Sequence, residues 1–175
     1  GNEDYGCLIA SDNSVISNNQ LYDNGLNGIY LQTIGSTEIL GNNFEGNGLS
    51  ELKSISSQEM LIENNYFNSS GEVENGGWGI DISSSFNSEV KGNIFDLGLR
   101  FTGSDNFTVS NNSFRNISYG NDYSQKTAIL VSDTFDNEFS NNVIENVGLG
   151  LVLIGTSDNN LIENNTIEGA STDIE

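Results

Sequence analysis

The residues best suited to chemistry are carboxylates and cations between positions 72 and 126. The sequence contains no histidine, so no imidazole can act as a near-neutral acid–base group or as a metal ligand. A histidine-ligated zinc enzyme and a Ser–His–Asp hydrolase are therefore excluded. If the chain is an enzyme, Asp81 and Asp96 are the candidate acid and base or nucleophile of a sugar hydrolase, and Arg100 or Lys126 is the candidate base of a lyase.

A second set of side chains in the same region suits binding better than catalysis. Flat aromatic rings pack on the faces of sugars, and polar groups around them hydrogen-bond the hydroxyls. This set includes the single tryptophan of the chain and three of its five cations. The candidate glycan- or partner-binding residues are Trp78, Tyr119, Tyr123, Arg100, Arg115 and Lys126, with Glu72 and Glu74 beside them. The alternative is that these residues belong to loops that only pack on the scaffold or on a neighbour.

Three Asp-Asn pairs are candidates for calcium binding. They begin at Asp12, Asp105 and Asp158, and calcium could lie between stacked carboxylates at such turns. The same residue types form Asx turns without any metal. The turn is the favoured interpretation, so no cofactor is predicted and calcium is the one candidate.

Charge limits the partners that the chain can have. The sequence has 25 acidic and 5 basic residues, a net charge of −20, which repels nucleic acids and anionic membranes. Polyuronates and sulfated glycans would be repelled too, unless cations bridge them. No run of 18 apolar residues is present, so no membrane insertion is expected. The single thiol, Cys7, cannot form an internal disulfide.

One short pattern recurs seven times along the chain. It consists of an apolar residue, any residue, Asn or Gly, Asn, any residue, and a large apolar residue. The asparagines at its fourth position are separated by 23, 23, 28, 19, 30 and 23 residues. They are Asn19, Asn42, Asn65, Asn93, Asn112, Asn142 and Asn165.

A second block, with the pattern small-apolar-any-apolar, precedes most of these motifs. It occupies residues 28–31, 79–82, 98–101, 128–131 and 151–154, with a degenerate copy around Leu52. The first apolar residue of this block lies ten positions before the first residue of the next Asn motif in all six cases. For the last copy this requires that Val152 is aligned with Ile129. All variation in length then falls in one loop per repeat.

These patterns predict a solenoid of short strands. Apolar patches of three to six residues that alternate with period two are strands, and a repeat near 23 residues cannot bury its apolar rows alone. Stacked coils about 4.8 Å apart would bury them. Asn or Gly at the third motif position predicts a left-handed corner, and the fourth-position asparagines should form an internal amide ladder.

The repeated Asn motif resembles the parallel β-helix repeat of the pectate-lyase-like superfamily, including carbohydrate-binding proteins and sugar hydrolases. The resemblance implies an all-β, right-handed parallel β-helix of about seven coils, each with three short strands. The motifs that mark catalytic members are not visible. Residues 1–175 are expected to form a single domain, or an uncapped segment of a longer β-helix.

The variable loops predict a groove. The inward apolar positions on either side of the variable loops are 8, 8, 13, 4, 15 and 8 positions apart. Two long loops, 68–79 after the third coil and 115–128 after the fifth, would flank the short loop 96–98 as a floor about 10 Å wide.

Two functions follow from this organisation. The first is a non-catalytic extracellular structural protein, either a cell-surface fibre subunit stacking end to end or a segment of an adhesin. In support of stacking, the spacing predicts a nearly whole number of coils, with the next strand starting just beyond Glu175. The second function is polysaccharide binding or degradation in the groove.

Overall fold

The computed structural model describes residues 3–68, 77–117 and 126–174. The described chain consists of 22 strands and contains no helix. All strand pairs are parallel, and each strand pairs with the strands three places away in the sequence. The chain is therefore a parallel β-helix, as the repeat predicted.

Three sheets run along the stack. Sheet A contains β1 (Cys7–Ile9), β4 (Ile29–Gln32), β7 (Leu52–Ile55), β10 (Ile80–Ser83), β13 (Leu99–Thr102), β16 (Thr127–Ser132), β19 (Leu149–Ile154) and β22 (Thr172–Ile174). Sheet B contains β2 (Val15–Ser17), β5 (Glu38–Leu40), β8 (Leu61–Glu63), β11 (Phe86–Lys91), β14 (Asp105–Ser110), β17 (Glu138–Ser140) and β20 (Leu161–Glu163). Sheet C contains β3 (Gln20–Tyr22), β6 (Asn43–Glu45), β9 (Tyr66–Asn68), β12 (Ile94–Phe95), β15 (Ser113–Arg115), β18 (Val143–Glu145) and β21 (Thr166–Glu168).

The corner between sheets B and C is built as predicted. The residue at the third motif position has a φ between 54° and 65° in every coil. Only Asn and Gly occupy that position, because they enter the left-handed region at little steric cost. These residues are Asn18, Gly41, Asn64, Gly92, Asn111, Asn141 and Asn164.

The seven predicted asparagines form one continuous ladder. In each rung, the backbone N–H and the side-chain Nδ2 both donate to the Oδ1 of the next asparagine, at 2.8–3.0 Å. From the second rung onward, Nδ2 also donates to a backbone carbonyl of the preceding coil. The five inner rungs are buried, so these hydrogen bonds satisfy polar groups that would otherwise be costly.

Apolar rows fill the interior between the sheets. Phe44, Phe67, Phe95 and Phe114 stack in register on sheet C, with ring centroids 4.5–4.8 Å apart. All four rings are fully buried. Parallel pairing in register therefore stacks the same type of side chain in successive coils. The three sheets pack around this core, so their other faces point outward.

The register predicted for the last coil is wrong by one residue. Leu151, not Val152, pairs with Ile129, so Leu151 points into the core and Val152 points outward. Eleven residues rather than ten then lead from Leu151 to Ile162 in the next Asn motif. The run Leu149–Ile154 is apolar almost throughout, so it carries no alternation that could set its register.

The predicted whole number of coils is also wrong by one strand. The strand β22 pairs with β19 and starts an eighth turn on sheet A. In the described residues, sheet A has eight strands and sheets B and C have seven each.

Candidate functional site

The outer face of sheet A carries one column of side chains that changes in character along the stack. Its members are in register from coil to coil. In order they are Leu8, Tyr30, Lys53, Asp81, Arg100, Leu130 and Val152. An aromatic zone is followed by an ionic zone and then by an apolar zone.

The ionic zone is centred on Asp81. The Arg100 Nε donates to Asp81 Oδ1 at 2.9 Å, and a terminal guanidinium nitrogen donates to Oδ2 at 2.7 Å. The Lys53 ammonium donates to the same Oδ2. The Asp81 side chain is 4% exposed, whereas those of Lys53 and Arg100 are 27% and 36% exposed. One buried carboxylate therefore holds two cations at the surface.

This environment keeps Asp81 ionised. Burial raises the pKa of Asp81, but the hydrogen bonds and charges of Arg100 and Lys53 outweigh it, so the pKa is lowered overall. A carboxyl group with a lowered pKa is ionised at neutral pH and cannot serve as a general acid there. Its oxygens already accept hydrogen bonds from both cations.

Trp78 belongs to the apolar zone rather than to an open groove. Its side chain packs against Leu130 and Val152 on the outside of sheet A, with Leu149 at the edge. The Arg100 guanidinium lies 5.4 Å from the centre of its ring, a distance typical of a cation–π contact. Trp78 is only 3% exposed, so in this structure its ring supports Arg100 and offers no open face to a sugar.

A second ionic cluster lies on the outer side of sheet C. The Tyr66 hydroxyl donates to Asp96 Oδ2 at 2.6 Å, and Arg115 Nε donates to Asp96 Oδ1 at 2.9 Å. The Arg115 guanidinium also lies 5.7 Å from the centre of the Tyr66 ring. Burial and the hydrogen bond to Asp96 raise the pKa of Tyr66.

The two candidate catalytic carboxylates thus lie in different clusters. Asp81 is on β10 of sheet A, and Asp96 follows β12 of sheet C. Each is held by its own cations. The structure therefore gives no facing pair of free carboxylates at Asp81 and Asp96, which is the arrangement that sugar hydrolysis needs.

The predicted binding residues are only partly brought together. Arg100 and Trp78 are in contact on sheet A, Lys126 lies against Gly148 just before β16, and Arg115 belongs to the cluster on sheet C. Tyr119, Tyr123, Glu72 and Glu74, with most of both long loops, lie outside the described residues. The predicted groove therefore stays a prediction.

Sequence reasoning missed the aromatic zone and one cation. The rings of Tyr5 and Tyr30 stack with centroids 5.0 Å apart and an interplanar angle of 18°. Tyr30 is adjacent to Lys53 in the register of sheet A. Lys53 could have been found from the repeat, since aligning Leu52 with Ile80 places Lys53 beside Asp81.

The sheets differ in charge, which the net charge of the chain conceals. Strands β1 to β19 of sheet A carry two cations and one carboxylate, namely Lys53, Arg100 and Asp81. The strands of sheet B carry six carboxylates and one cation. Strands β1 to β19 of sheet A are thus less acidic than the strands of sheet B, and an anionic ligand meets less repulsion on the outer face of sheet A.

The Asp residues considered for calcium take part in contacts between coils. Asp12 Oδ1 accepts a hydrogen bond from the backbone N–H of Gly35 at 2.7 Å, and Asp105 Oδ1 accepts one from Phe135 at 2.8 Å. Asp158 pairs with Phe135 through its backbone. Within residues 3–68, 77–117 and 126–174, no group of three or more Asp, Glu or Cys side chains is arranged to hold a metal ion.

A family model described as "Right handed beta helix region" matches residues 1–123 and 97–174. The chain belongs to the right-handed β-helix family. No curated protein sequence matches it closely enough to count as a relative. In the described part of this β-helix, no helical segment has the length and apolar character needed to cross a membrane.

Several solved structures share the fold at low sequence identity. The Streptococcus pneumoniae surface adhesin PfbA is 16% identical, with a TM-score of 0.76 over 94% of this chain and 46% of the adhesin. The periplasmic alginate epimerase AlgG is 15% identical, with a TM-score of 0.63 over 98% of this chain and 48% of that one. The A-module of an Azotobacter vinelandii mannuronan C-5 epimerase is 16% identical, with a TM-score of 0.54 over 96% and 57% of the two chains. This β-helix spans about half the length of each of these proteins.

Proposed function

We propose that this β-helix is a non-catalytic segment of an extracellular or cell-surface protein, which binds a partner through the outer face of sheet A. One observation carries the non-catalytic part. The two carboxylates predicted as catalytic candidates are each held in ion pairs, with Asp81 bound to Arg100 and Lys53 and Asp96 bound to Arg115. The fold shared with a surface adhesin and with a periplasmic enzyme supports the location.

A turnover assay tests the absence of catalysis. The purified chain is incubated with neutral polysaccharides and with polyuronates, and release of reducing ends or of unsaturated uronates is followed. No product is expected above a blank. Product that disappears in both Asp81→Asn and Asp96→Asn, with folding retained, would contradict the proposal and assign these carboxylates to a reaction.

The partner that best fits the face is a glycan chain lying along the stack. The column offers the Tyr5–Tyr30 aromatic pair and then the partly exposed cations Lys53 and Arg100. Aromatic rings suit the apolar faces of sugars, and the cations suit hydroxyl or carboxylate groups. This proposal keeps Arg100 from the predicted groove and adds Tyr5, Tyr30 and Lys53 from the first three coils.

Binding is tested on a glycan array with alanine variants of three cations. Lys53→Ala and Arg100→Ala are each expected to weaken binding by about tenfold, an amount typical of a central contact. Lys91→Ala is the control, because Lys91 is also ion-paired but lies on sheet B. An equal loss in all three variants would show nonspecific electrostatic attraction, and unchanged binding in all three would remove sheet A as the binding face.

End-to-end association stays a prediction. The outermost rungs of the ladder differ in polarity, since Asn19 donates to Asn42 and Asn165 accepts from Asn142. A second copy could therefore extend the ladder in one direction only, which would give open filaments. Sedimentation velocity over a range of concentrations tests this, and a monomer at every concentration would discard it.

A further inference from the structure

A second, shorter amide ladder lies where the chain leaves sheet C. Asn24 and Asn47 each follow a residue with positive φ, Asp23 and Gly46. The backbone N–H and the Nδ2 of Asn24 donate to Asn47 Oδ1, at 3.1 and 2.7 Å. Asn47 Nδ2 also donates to the carbonyl of Leu21 at 3.0 Å. This is the hydrogen-bond pattern of the main ladder, repeated at another corner.

Glu51 takes the place of the next rung. The backbone N–H of Asn47 donates to Glu51 Oε1 at 3.3 Å, and Asn47 Nδ2 donates to Oε2. The carboxylate thus receives the same two donors that Asn47 receives from Asn24. In the fifth and sixth coils, the residues after the positive-φ corners are the buried apolar Ile117 and Val147. The polar ladder of the first two coils therefore ends on a carboxylate.

The surroundings of Glu51 are buried and contain no paired cation. Glu51 is 2% exposed, and none of the ion pairs among the described residues includes it. Its backbone contacts the coils on both sides, through Ile29 and Trp78. Among the described charged groups, Glu45 on β6 acts on it, and that group is also negative.

The protonation state of this carboxyl group changes near neutral pH. Burial raises the pKa of Glu51 to about 7, and Glu45 adds to the effect, although the hydrogen bonds from Asn47 and Gly46 oppose it. An ionised carboxylate accepts at both oxygens, whereas a protonated one has a hydroxyl that must donate. The Asn47 groups that face Glu51 are both donors, so one hydrogen bond is lost on protonation.

We propose that Glu51 is a proton-sensitive end rung at the corner between β6 and β7, which accepts two hydrogen bonds from Asn47 when ionised and one when protonated. The strand β7 begins at the next residue and carries Lys53. The inference is independent of the proposed function, since it concerns the scaffold alone.

The effect on stability has a definite sign. The folded-state pKa of Glu51, about 7, lies above its ordinary value of 4.5. The contribution of this group to stability is therefore fully present below about pH 4.5 and is lost as the pH rises to about 7. Above that pH the folded chain carries a buried, unpaired charge.

The test combines NMR with thermal unfolding. The Asn47 side-chain NH₂ signal of the ¹⁵N-labelled chain is expected to titrate with a midpoint near pH 7. Glu51→Gln should abolish this titration, raise Tm at pH 8 by about 5 °C, and change Tm at pH 4.5 by less than about 1 °C. The control Glu145→Gln, at an exposed position on sheet C, should not reproduce the rise of Tm at pH 8.

A second variant keeps the test valid if Glu51→Gln does not fold. Glu45→Gln leaves the rung intact and removes the neighbouring negative charge, so the Asn47 midpoint should move to lower pH. An Asn47 midpoint near pH 4.5 in the wild type would overturn the proposal. So would a Glu51→Gln variant whose change in Tm is the same at pH 8 and pH 4.5.

Discussion

The corner between sheets B and C and the corner between sheets C and A both connect short parallel strands, but they are built in different ways. The Asn corner, between sheets B and C, has a left-handed residue followed by a ladder asparagine in all seven coils. The loop corner, between sheets C and A, ranges from three residues between β12 and β13 to eleven between β9 and β10. Both described clusters of ion pairs that involve arginine lie beside the loop corner.

The difference shows how a solenoid separates structure from binding. A buried amide ladder requires each rung to meet the next at hydrogen-bond distance, so it does not tolerate an insertion between rungs. The loop corner carries no ladder that runs through all the coils, and its length has little effect on the stacking of the coils. Charged and aromatic side chains can therefore collect there without disturbing the core.

An insertion of one residue tests this comparison most severely. A glycine inserted between Asn64 and Asn65 displaces a ladder rung and reverses the facing of the next strand, so we expect a loss of more than ~4 kcal/mol. A glycine inserted between Ser70 and Gly71, in the long connection between β9 and β10, should cost less than ~1 kcal/mol. Urea unfolding followed by circular dichroism measures both, and equal losses would contradict the distinction.

Removal of one inner rung should have the next largest effect. Asn93→Ala removes the acceptor of the Asn65 backbone N–H and of one Asn65 Nδ2 hydrogen, and the side-chain donor to the carbonyl of Ile62. We expect a loss of ~4 kcal/mol. Asn19→Ala is the matched control, because Asn19 is an exposed end rung with one neighbour. It should cost ~1 kcal/mol in the same unfolding experiment. Similar losses would mean that the ladder adds nothing beyond its local bonds.

The ionic zone of sheet A should contribute less. Asp81→Asn is expected to cost ~1–2 kcal/mol at pH 7, because Lys53 and Arg100 can regain water when the carboxylate is lost. The pKa of Asp81 is lowered, so its contribution is present above pH 3.8 and lost as the pH falls below that value. Unfolding between pH 6 and pH 2 should therefore show a flatter profile in the variant, with Glu89→Gln on sheet B as the exposed control. Parallel profiles would show that Asp81 stabilises nothing.

The smallest effect is expected in the cluster on sheet C. Asp96→Asn breaks a pair with Arg115, whose side chain is 43% exposed, so the loss should be below ~0.5 kcal/mol. The pKa of Tyr66 should still fall, because the hydrogen bond to the Asp96 carboxylate helps to raise it. A pH titration of the Tyr66 ring signal by NMR checks this. An unchanged midpoint would show that burial alone raises the pKa.

The sequence by itself determined the fold and its internal ladder. The alternation of short apolar patches, the Asn or Gly at the third motif position and the constant Asn at the fourth predicted the strands, the left-handed corners and the buried column. These features are local and recur seven times, so each copy supports the same alignment of the coils independently. Even the degenerate block around Leu52 lies in register with Ile29 and Ile80.

The tertiary structure alone decided where side chains point when the local pattern is uninformative, and which charges meet. Val152 lies outside because Trp78 and Leu130 cover it there, which an unbroken apolar run does not reveal. Asp81 and Asp96 were the candidate catalytic pair in the sequence. In the structure Asp81 is paired with Lys53 and Arg100, and Asp96 is paired with Arg115, each from another coil. The sequence does not distinguish Glu51 from the other acidic residues. Its burial and the two donor groups of Asn47 that face it are seen only in the structure. Contacts between coils depend on loop length and on packing across the stack, and neither is encoded within a single repeat.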